Sequence, residues 1–210
     1  MAIRIHALLL VVGIIAAEDA NIYHCKRSES GFPKELCYTT GCADAINGQI
    51  KHELNAAFKY MCMGAKFAQY TVDRPGIAKF LMEAATEERG HASLMLDYLN
   101  TRGIKPTVED DYNFPFNKFI NETKNISYKD ALQEALRMEI EVTDLIYDVV
   151  SACHQDYHGA DVFTNPILDE QHNGVRKLQG AIRAFDDLSH NNDVYLAEYI
   201  FDQKMLRGEF

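Results

Sequence analysis

Long stretches without helix breakers constrain this chain more than any other feature of its sequence. The 210 residues include five Pro, twelve Gly and no Trp. Apolar residues recur at helical spacing, as at Ile46, Ile50, Leu54, Ala57 and Met61. Windows of about 25 residues would form helices roughly 40 Å long, well above the average. The chain is long enough for one domain with a substantial core. The sequence therefore predicts a single all-α domain.

Turn signals divide this domain into four long helices and a short fifth. Ser127 with Asp130 resembles a capping box at the start of the third helix, and Gly103 is placed to end the second. Pro166 is expected to kink the fourth helix or to delay its start. The predicted helices cover residues 44–71, 75–100, 127–153, 161–188 and 194–205.

A long connection separates the second helix from the third. Residues 104–126 lose helical periodicity and contain two Pro and two glycosylation sequons, at Asn121 and Asn125. A surface crossover of this length lets the second and third helices run parallel, as in bundles with one long crossover. The predicted fold is a four-helix bundle with that crossover and a fifth C-terminal helix.

The N-terminus has the features of a secretory signal peptide. Arg4 precedes an apolar run over residues 7–17 that is too short to span a bilayer, and small residues come before Glu18. We predict a signal peptide at 1–17, a cysteine-bearing extension at 18–43 and the bundle with its fifth helix at 44–206. The protein would be secreted or lie in the lumen of the secretory pathway, with a short membrane anchor as the alternative. No later segment approaches transmembrane length.

Cysteine usage fits an oxidising compartment. An odd number of cysteines leaves one free or paired with another chain. We expect at least one of the first three to join a disulfide, but the pairing stays open, and a zinc site is disfavoured because no close Cys-x-x-Cys pair occurs. The five are Cys25, Cys37, Cys42, Cys62 and Cys153.

The acidic composition points to cationic ligands. The formal net charge is −10, and loss of the predicted signal peptide would remove one Arg and no acid. A negative surface argues against nucleic acid and in favour of cations.

Polar groups suited to metal binding occur near the middle of all four long helices. Each alone would be read as a solvated or hydrogen-bonded side chain. Together, however, core carboxylates with a Glu-x-x-His pair are the ligand set of di-iron bundles. Helix by helix, the groups are Glu53 and Tyr60; Glu87, Glu88 and His91; Glu139; and Glu170 with Gln171.

The second metal position lacks an imidazole. Three residues after Glu139 stands Val142 rather than His, and the fourth helix offers neutral Gln171. Weak binding there suits iron that passes through rather than iron that stays. The pattern indicates oxidation of incoming Fe²⁺ and release of the ferric product.

Several motifs resemble those of ferritin subunits of the heavy, ferroxidase-bearing type. The resemblance covers about 46–206 and is strongest to the secreted heavy-chain homologues of insects. It implies a ferritin-like fold and oxidation of Fe²⁺ by O₂, followed by mineral growth inside a 24-subunit shell. The motifs are Gln-Ile-x-x-Glu-Leu-x-Ala at 49–56, Glu-Glu-Arg-x-His at 87–91, Asp-Glu-Gln at 169–171 and Leu-Ala-Glu-Tyr-Ile-Phe-Asp at 196–202.

The resemblance also implies a ligand for each iron of a di-iron centre. Glu53, Glu88 and His91 would surround one iron. Glu88 would bridge to a second iron held by Glu139, with Gln171 in the same metal site positioning water or oxygen.

Other positions carry supporting roles by the same resemblance. Glu87 would be a mobile ligand that helps iron move, and Tyr60 would hydrogen-bond the Glu139 side of the centre. An entry channel would use Asp161, but Thr164 stands where the family has Glu, so this channel would attract cations less strongly.

The resemblance implies partners as well. The shell would be a hetero-oligomer with a ferritin light-chain homologue, in some cases linked by disulfides, and Fe²⁺ and O₂ would be the substrates. Two alternatives stay open: a non-catalytic structural shell subunit, and a di-iron oxidase acting on an organic substrate. A secreted helical cytokine would have no use for buried Glu and His.

Overall fold

A computed structural model describes residues 38–107 and 113–210. The predicted signal peptide, most of the predicted extension and two of its cysteines, Cys25 and Cys37, lie outside the described residues. Within them every regular element is helical, and no helix is both long and apolar enough to cross a membrane.

Seven α-helices and one π-helical turn follow one another over residues 38–107 and 113–210. Four are long, as the sequence predicts, and the last lies within one residue of the predicted fifth helix. The elements are α1 (Thr40–Phe67), α2 (Pro75–Thr101), α3 (Phe116–Thr123), α4 (Tyr128–Ala152), α5 (Tyr157–Val162), a π-helical turn (Phe163–Ile167), α6 (Leu168–His190) and α7 (Val194–Leu206).

Local signals set the ends of these helices. Pro75 occupies the first turn of α2, where its missing N–H costs nothing. The Ser127 hydroxyl accepts the Asp130 N–H at the start of α4, so the predicted cap forms. Gly103 follows α2 with a φ of +72°, a left-handed conformation that favours glycine.

The four long helices pack as two hairpins around one core. α1 packs mainly on α2, α4 packs on α6, and α1 also contacts α4. This confirms the predicted four-helix bundle with one long crossover and an additional C-terminal helix. The fully buried apolar side chains include Ile46, Ile50, Met63, Ile77, Leu81, Met95, Leu99, Leu132 and Ile146.

The crossover contains a short helix that the sequence pattern did not predict. In α3, Phe119 is buried and lies near Phe58 of α1, while Phe114 and Phe116 meet the Phe58 ring edge-on at 4.8 Å. Eight residues give too few turns for a clear helical period. Aromatic packing against α1 therefore stabilises α3, and the Asn121 sequon lies in a helix instead of a loop.

The fourth long helix begins later in the structure than the predicted start at residue 161. The stretch predicted to begin at 161 is divided into α5, the π-helical turn and α6, which begins at Leu168. Pro166 lies inside the π-helical turn. Its ring removes a backbone donor and disturbs the preceding turn, so the regular α-helix resumes only after it.

α7 docks on the start of α2 through one buried carboxylate. Asp202 accepts the N–H groups of Gly76 and Ile77 at 3.0 and 2.9 Å, and satisfies donors that the helix itself leaves free. A Cβ on Gly76 would lie 2.0 Å from the Asp202 carbonyl oxygen. Glycine at position 76 is therefore required for the close approach of α7 to α2. This approach fixes the position of α7, which is the predicted fifth helix.

A disulfide and a buried ion pair close one end of the bundle. Cys42 near the start of α1 is bonded to Cys153 after α4. Nearby, Arg102 donates to both oxygens of Asp156, and Tyr98 donates to the same carboxylate. The expectation that an early cysteine joins a disulfide is confirmed. Cys62 is free and half-buried.

Candidate metal centre

The predicted ligands converge in the interior of the bundle. The core-facing stripe of α1 carries Glu53 and Tyr60 two turns apart, and both side chains are fully buried. α2 contributes Glu88 and His91 from one face, and α4 contributes Glu139. All five side chains are at most 8% exposed. Burial of this much acid requires compensation.

Three of these residues leave an atom without a hydrogen-bond partner. The atoms are Glu53 Oε2, Glu88 Oε2 and His91 Nδ1, and all three are buried. They lie within 4.8 Å of one another, with Nδ1 3.5 and 3.6 Å from the two carboxylate oxygens. Buried polar atoms in folded proteins are nearly always paired. Two carboxylate oxygens and one imidazole nitrogen facing a common point fit a divalent transition metal such as Fe²⁺.

The imidazole is oriented from its other side by α6. His91 Nε2 lies 2.9 Å from Glu170 Oε2, so Nε2 donates and Nδ1 faces the two carboxylates. Burial by itself lowers the His91 pKa, but Glu53, Glu88 and Glu170 outweigh it and raise this pKa to about 11. Without metal, a proton shared among these groups balances part of their negative charge. A metal ion that binds Nδ1 must displace that proton.

The pKa values of the two carboxylates beside His91 are shifted in opposite directions. Burial raises the pKa of Glu88 well above its ordinary value, and the nearby Glu53 raises it further. For Glu53, burial also acts upward, but the closeness of Glu88 and His91 and the hydrogen bond from Gln49 lower the pKa overall. Gln49 donates to Glu53 Oε1 at 2.8 Å, which leaves Oε2 to face the centre. Glu53 therefore holds a negative charge more readily than Glu88 does.

Glu139 and Gln171 lie next to the three-atom group but are not part of it. The Tyr60 hydroxyl donates to Glu139 Oε1 at 2.5 Å. Burial and the Glu139 charge raise the Tyr60 pKa well above its usual range, so the phenol keeps its proton. Gln171 is buried and accepts from the Thr143 hydroxyl at 3.1 Å. Each side chain is thus held in one orientation beside the ligand cluster.

A cavity between α2 and α6 connects the centre with the surface. It has a volume of about 360 Å³. Glu88, His91, Glu139 and Gln171 line its inner part, and Glu87 is exposed on its wall. Burial, followed by the charge of Glu170, raises the pKa of Glu87. A cation can therefore reach the buried ligands past a lining rich in carboxylates.

The two predicted channel residues lie away from this cavity. Asp161 is exposed on α5 and accepts the Asn165 side-chain amide at 2.7 Å. Thr164 is exposed in the π-helical turn and donates to the Ala160 carbonyl at 2.7 Å. They share one surface of the subunit, one turn apart. A channel would need further subunits around that surface.

The sequence placed Glu170 among the central polar groups, but it predicted none of three contacts that support the centre. Glu170 orients His91, Gln49 orients Glu53, and Thr143 holds Gln171. Gln49 precedes Glu53 by four residues, a helical spacing that could have signalled their hydrogen bond. The other two contacts join different helices, and spacing along the chain does not encode them.

Comparisons with known proteins identify the family of this chain. The family described as Ferritin-like domain matches residues 43–188. The ferritin heavy chain of Papilio xuthus is 35% identical over 207 residues, covering 95% of this chain and 94% of that protein. The ferritin heavy chain of Drosophila melanogaster is 31% identical over 209 residues, covering 97% of this chain and 100% of that protein.

A solved structure is similar as well. The secreted ferritin of Trichoplusia ni superposes with a TM-score of 0.71 at 31% sequence identity, covering 87% of this chain and 97% of that chain. The family match spans more than half of the sequence, and the curated relatives align over nearly their whole length. The helical bundle with its buried Glu-Glu-His group is thus the subunit of an iron-storage protein, and this chain belongs to the ferritin family.

Proposed function

We propose that this chain is a ferroxidase subunit, which oxidises Fe²⁺ with O₂ at a two-iron site as its part in the iron storage of its family. Glu53, Glu88 and His91 hold the first ferrous ion. Glu88 also faces a second ion held by Glu139, with Gln171 beside it. The two Fe²⁺ ions together give two electrons to one O₂, which takes up two protons and becomes hydrogen peroxide, and the ferric product leaves for a mineral core.

One observation carries this proposal. Glu53 Oε2, Glu88 Oε2 and His91 Nδ1 are buried without hydrogen-bond partners and face one another within 4.8 Å. An unpaired buried polar group costs about 1–3 kcal/mol, and more when charged. A purely structural subunit would gain stability by replacing these residues with apolar ones. Retention of all three argues for a cation at their centre.

The surrounding residues have distinct tasks in this proposal. Gln49 and Glu170 hold Glu53 and His91 so that their free atoms face the metal. The Tyr60 hydroxyl donates a hydrogen bond to Oε1 of Glu139, and this bond directs Oε2 of the same carboxylate away from the phenol. Glu87, exposed in the cavity wall, exchanges iron with solvent.

The missing second imidazole supports passage of iron instead of retention. Near Glu139, Gln171 is neutral and is held by Thr143, and Val142 stands where a second Glu-x-x-His would place His. Fewer charged ligands bind the second ion more weakly. The same argument disfavours a permanently bound di-iron oxidase of organic substrates.

We further propose that the chain assembles into a 24-subunit shell with a light-chain homologue. The exposed face of α7 carries an unusual number of large apolar side chains, which favours burial against other subunits. Asp161 and Thr164 would then line an entry channel. The exposed apolar residues of α7 include Val194, Tyr195, Leu196, Tyr199 and Ile200.

The proposed location is the secretory pathway or the extracellular space. The predicted signal peptide at 1–17 and the extension at 18–43 support it, as does the buried Cys42–Cys153 disulfide, a bond that persists mainly in oxidising compartments. Cys62, Cys25 and Cys37 remain as candidates for bonds between subunits.

Removal of two ligands tests the ferroxidase proposal. Glu88→Ala with His91→Ala deletes two of the three unpaired ligand atoms. We expect rapid Fe²⁺ oxidation to fall at least about 100-fold, because loss of a residue that only orients a ligand already costs about 10- to 100-fold. Stopped-flow absorbance of the ferric product under air measures the initial rate. Circular dichroism and native mass verify that the helical fold and the assembly persist.

A matched double variant outside the cavity serves as the control. Glu141→Ala with His154→Ala removes the same two residue types from exposed positions. This control should oxidise Fe²⁺ at the wild-type rate. An unchanged rate in the ligand variant would refute the assignment of the site.

The His91–Glu170 contact makes a second, finer test. Glu170→Gln keeps the size of the side chain but removes the charge that orients the imidazole. Loss of such an orienting partner typically weakens metal affinity about 10- to 100-fold. Calorimetric titration with Zn²⁺ measures that affinity, and a value equal to that of the wild type would show that Glu170 does not position His91.

A further inference from the structure

One cation lies at the mouth of the acidic cavity. Among the described residues lining the cavity, Lys177 is the single side chain with a permanent positive charge. Five carboxylates share the lining, yet Lys177 makes no ion pair within the described part of the chain. The acidic residues are Glu83, Glu87, Glu88, Glu139 and Glu170.

Aromatic rings hold this ammonium group in place instead. Lys177 Nζ lies 4.4 Å from the centre of the Phe210 ring and 5.8 Å from that of Phe80. The two rings meet edge-on, with centres 5.7 Å apart. Both rings are half-buried, and Phe80 also lines the cavity. Cation–π contacts of this kind hold the charge near the mouth without neutralising it.

The field of Lys177 extends into the cavity. Burial and the charge of Glu170 raise the pKa of Glu87, and Lys177 acts on it in the opposite direction. A fixed positive charge repels a bound metal ion in proportion to the charge of that ion. A trivalent ion is therefore destabilised one and a half times as strongly as a divalent ion at the same place.

We propose that Lys177, held by Phe80 and Phe210, tunes the site against trivalent ions and so favours departure of the oxidised product. This inference rests on the proposed binding of iron at Glu53, Glu88 and His91. It adds a residue that discriminates between the substrate and product charge states. The ligands attract both ions, whereas Lys177 penalises the ferric ion more.

Equilibrium binding of two probe ions tests this role, because equilibrium constants do not depend on how fast ions cross a shell. Co²⁺ stands in for the substrate and Tb³⁺ for the product. Their dissociation constants are measured by Co²⁺ absorption and Tb³⁺ luminescence in wild type and Lys177→Met. Binding that persists in the Glu88→Ala, His91→Ala variant is subtracted from each titration.

The expected result is a larger gain for the trivalent ion. For Lys177→Met, the Co²⁺ dissociation constant should fall about three- to tenfold, the range expected for one unit charge acting through partly hydrated protein. The factor by which the Tb³⁺ dissociation constant falls should be about the Co²⁺ factor raised to the power 1.5. A fivefold fall for Co²⁺ would thus correspond to a fall of roughly elevenfold for Tb³⁺. High salt should shrink both effects.

Two further variants separate charge from packing. Phe210→Leu keeps Lys177 but removes its contact with the Phe210 ring. In this variant both dissociation constants should fall less than in Lys177→Met, and the fall should again be larger for Tb³⁺. Lys118→Met removes an exposed lysine from α3 and should leave both constants unchanged.

Several outcomes would overturn the inference. Unchanged constants in Lys177→Met, or equal factors for the two ions, would show that Lys177 does not discriminate by charge, while the proposed ferroxidase site would stand. If wild type binds Co²⁺ no better than the Glu88→Ala, His91→Ala variant, both proposals fail.

Discussion

Removal of the Cys42–Cys153 disulfide should destabilise the subunit more than any other change of two small side chains. The bond joins residues 111 apart in the sequence and ties the start of α1 to the end of α4. Both cysteines are buried, at 1% and 0% exposure. The perturbation is the double variant Cys42→Ala, Cys153→Ala, which breaks the bond without adding polar groups.

The size of the effect follows from the length of the closed loop. In the chain-entropy model a loop of about 100 residues constrains the unfolded state by about 4.7 kcal/mol, and removal of native disulfides typically costs 2–5 kcal/mol. Residual structure in the unfolded chain reduces the entropic part. We therefore expect the free energy of unfolding to fall by about 3–5 kcal/mol. Typical domains have only about 5–15 kcal/mol in total.

Urea unfolding followed by far-ultraviolet circular dichroism measures this loss, with linear extrapolation to water. Variants are preferable to reducing agents, because a reductant would also act on any other disulfide. Several protein concentrations must be compared, since subunit association adds to apparent stability. Cys62→Ala is the control, because Cys62 is free and half-buried. A double variant within about 0.5 kcal/mol of wild type would refute the loop-closure reasoning.

Two further predictions concern the ends of the bundle. Gly76→Ala should lower the free energy of unfolding, measured by thermal unfolding, by about 2–3 kcal/mol, because the new Cβ would clash with Asp202. The control is Gly180→Ala, where the space around the Cβ is open. This control should be neutral or slightly stabilising. The second prediction concerns Asp156. Burial raises the pKa of this carboxyl group, but hydrogen bonds from Arg102 and other donors hold the pKa below its ordinary value of 3.8. The stabilising contribution of the Asp156 carboxylate is thus complete above pH 3.8 and is lost as pH falls through the folded-state pKa. The free energy of unfolding is measured at a series of acid pH values for wild type and Asp156→Asn. The difference between the two proteins should shrink below pH 3.8.

The bundle could be predicted because its signals are local. Apolar spacing, Pro75, the Ser127 cap and Gly103 each act within a few residues of their own position. The predicted ends of the second and third long helices and of the short fifth helix accordingly agree with the structure within one residue. The first helix covers 40–67 instead of the predicted 44–71. Pro166 indicated that the fourth would be interrupted, but periodicity could not show that a separate helix and a π-helical turn precede α6.

The candidate site was predictable for a related reason. A bundle presents the middle of each long helix to the same interior, so Glu53, Glu88, His91 and Glu139 are brought close together once four helices of similar length are aligned. Their roles as iron ligands remain a proposal. Glu170 was identified as a central polar group, but its contact with His91 was not predicted, because contacts between helices depend on how neighbouring helices are rotated.

By itself, then, the sequence determined the four long helices and the C-terminal helix, their order and the polar groups that the core must bury, because helical periodicity and capping act over a few residues. Tertiary structure alone decided that Cys42 bonds Cys153, that Asp202 docks α7 on α2, that α3 folds within the crossover and that Lys177 lies against Phe210. These pairs are separated by tens of residues or more. Packing of whole helices, and not the local chain, sets the distances between them.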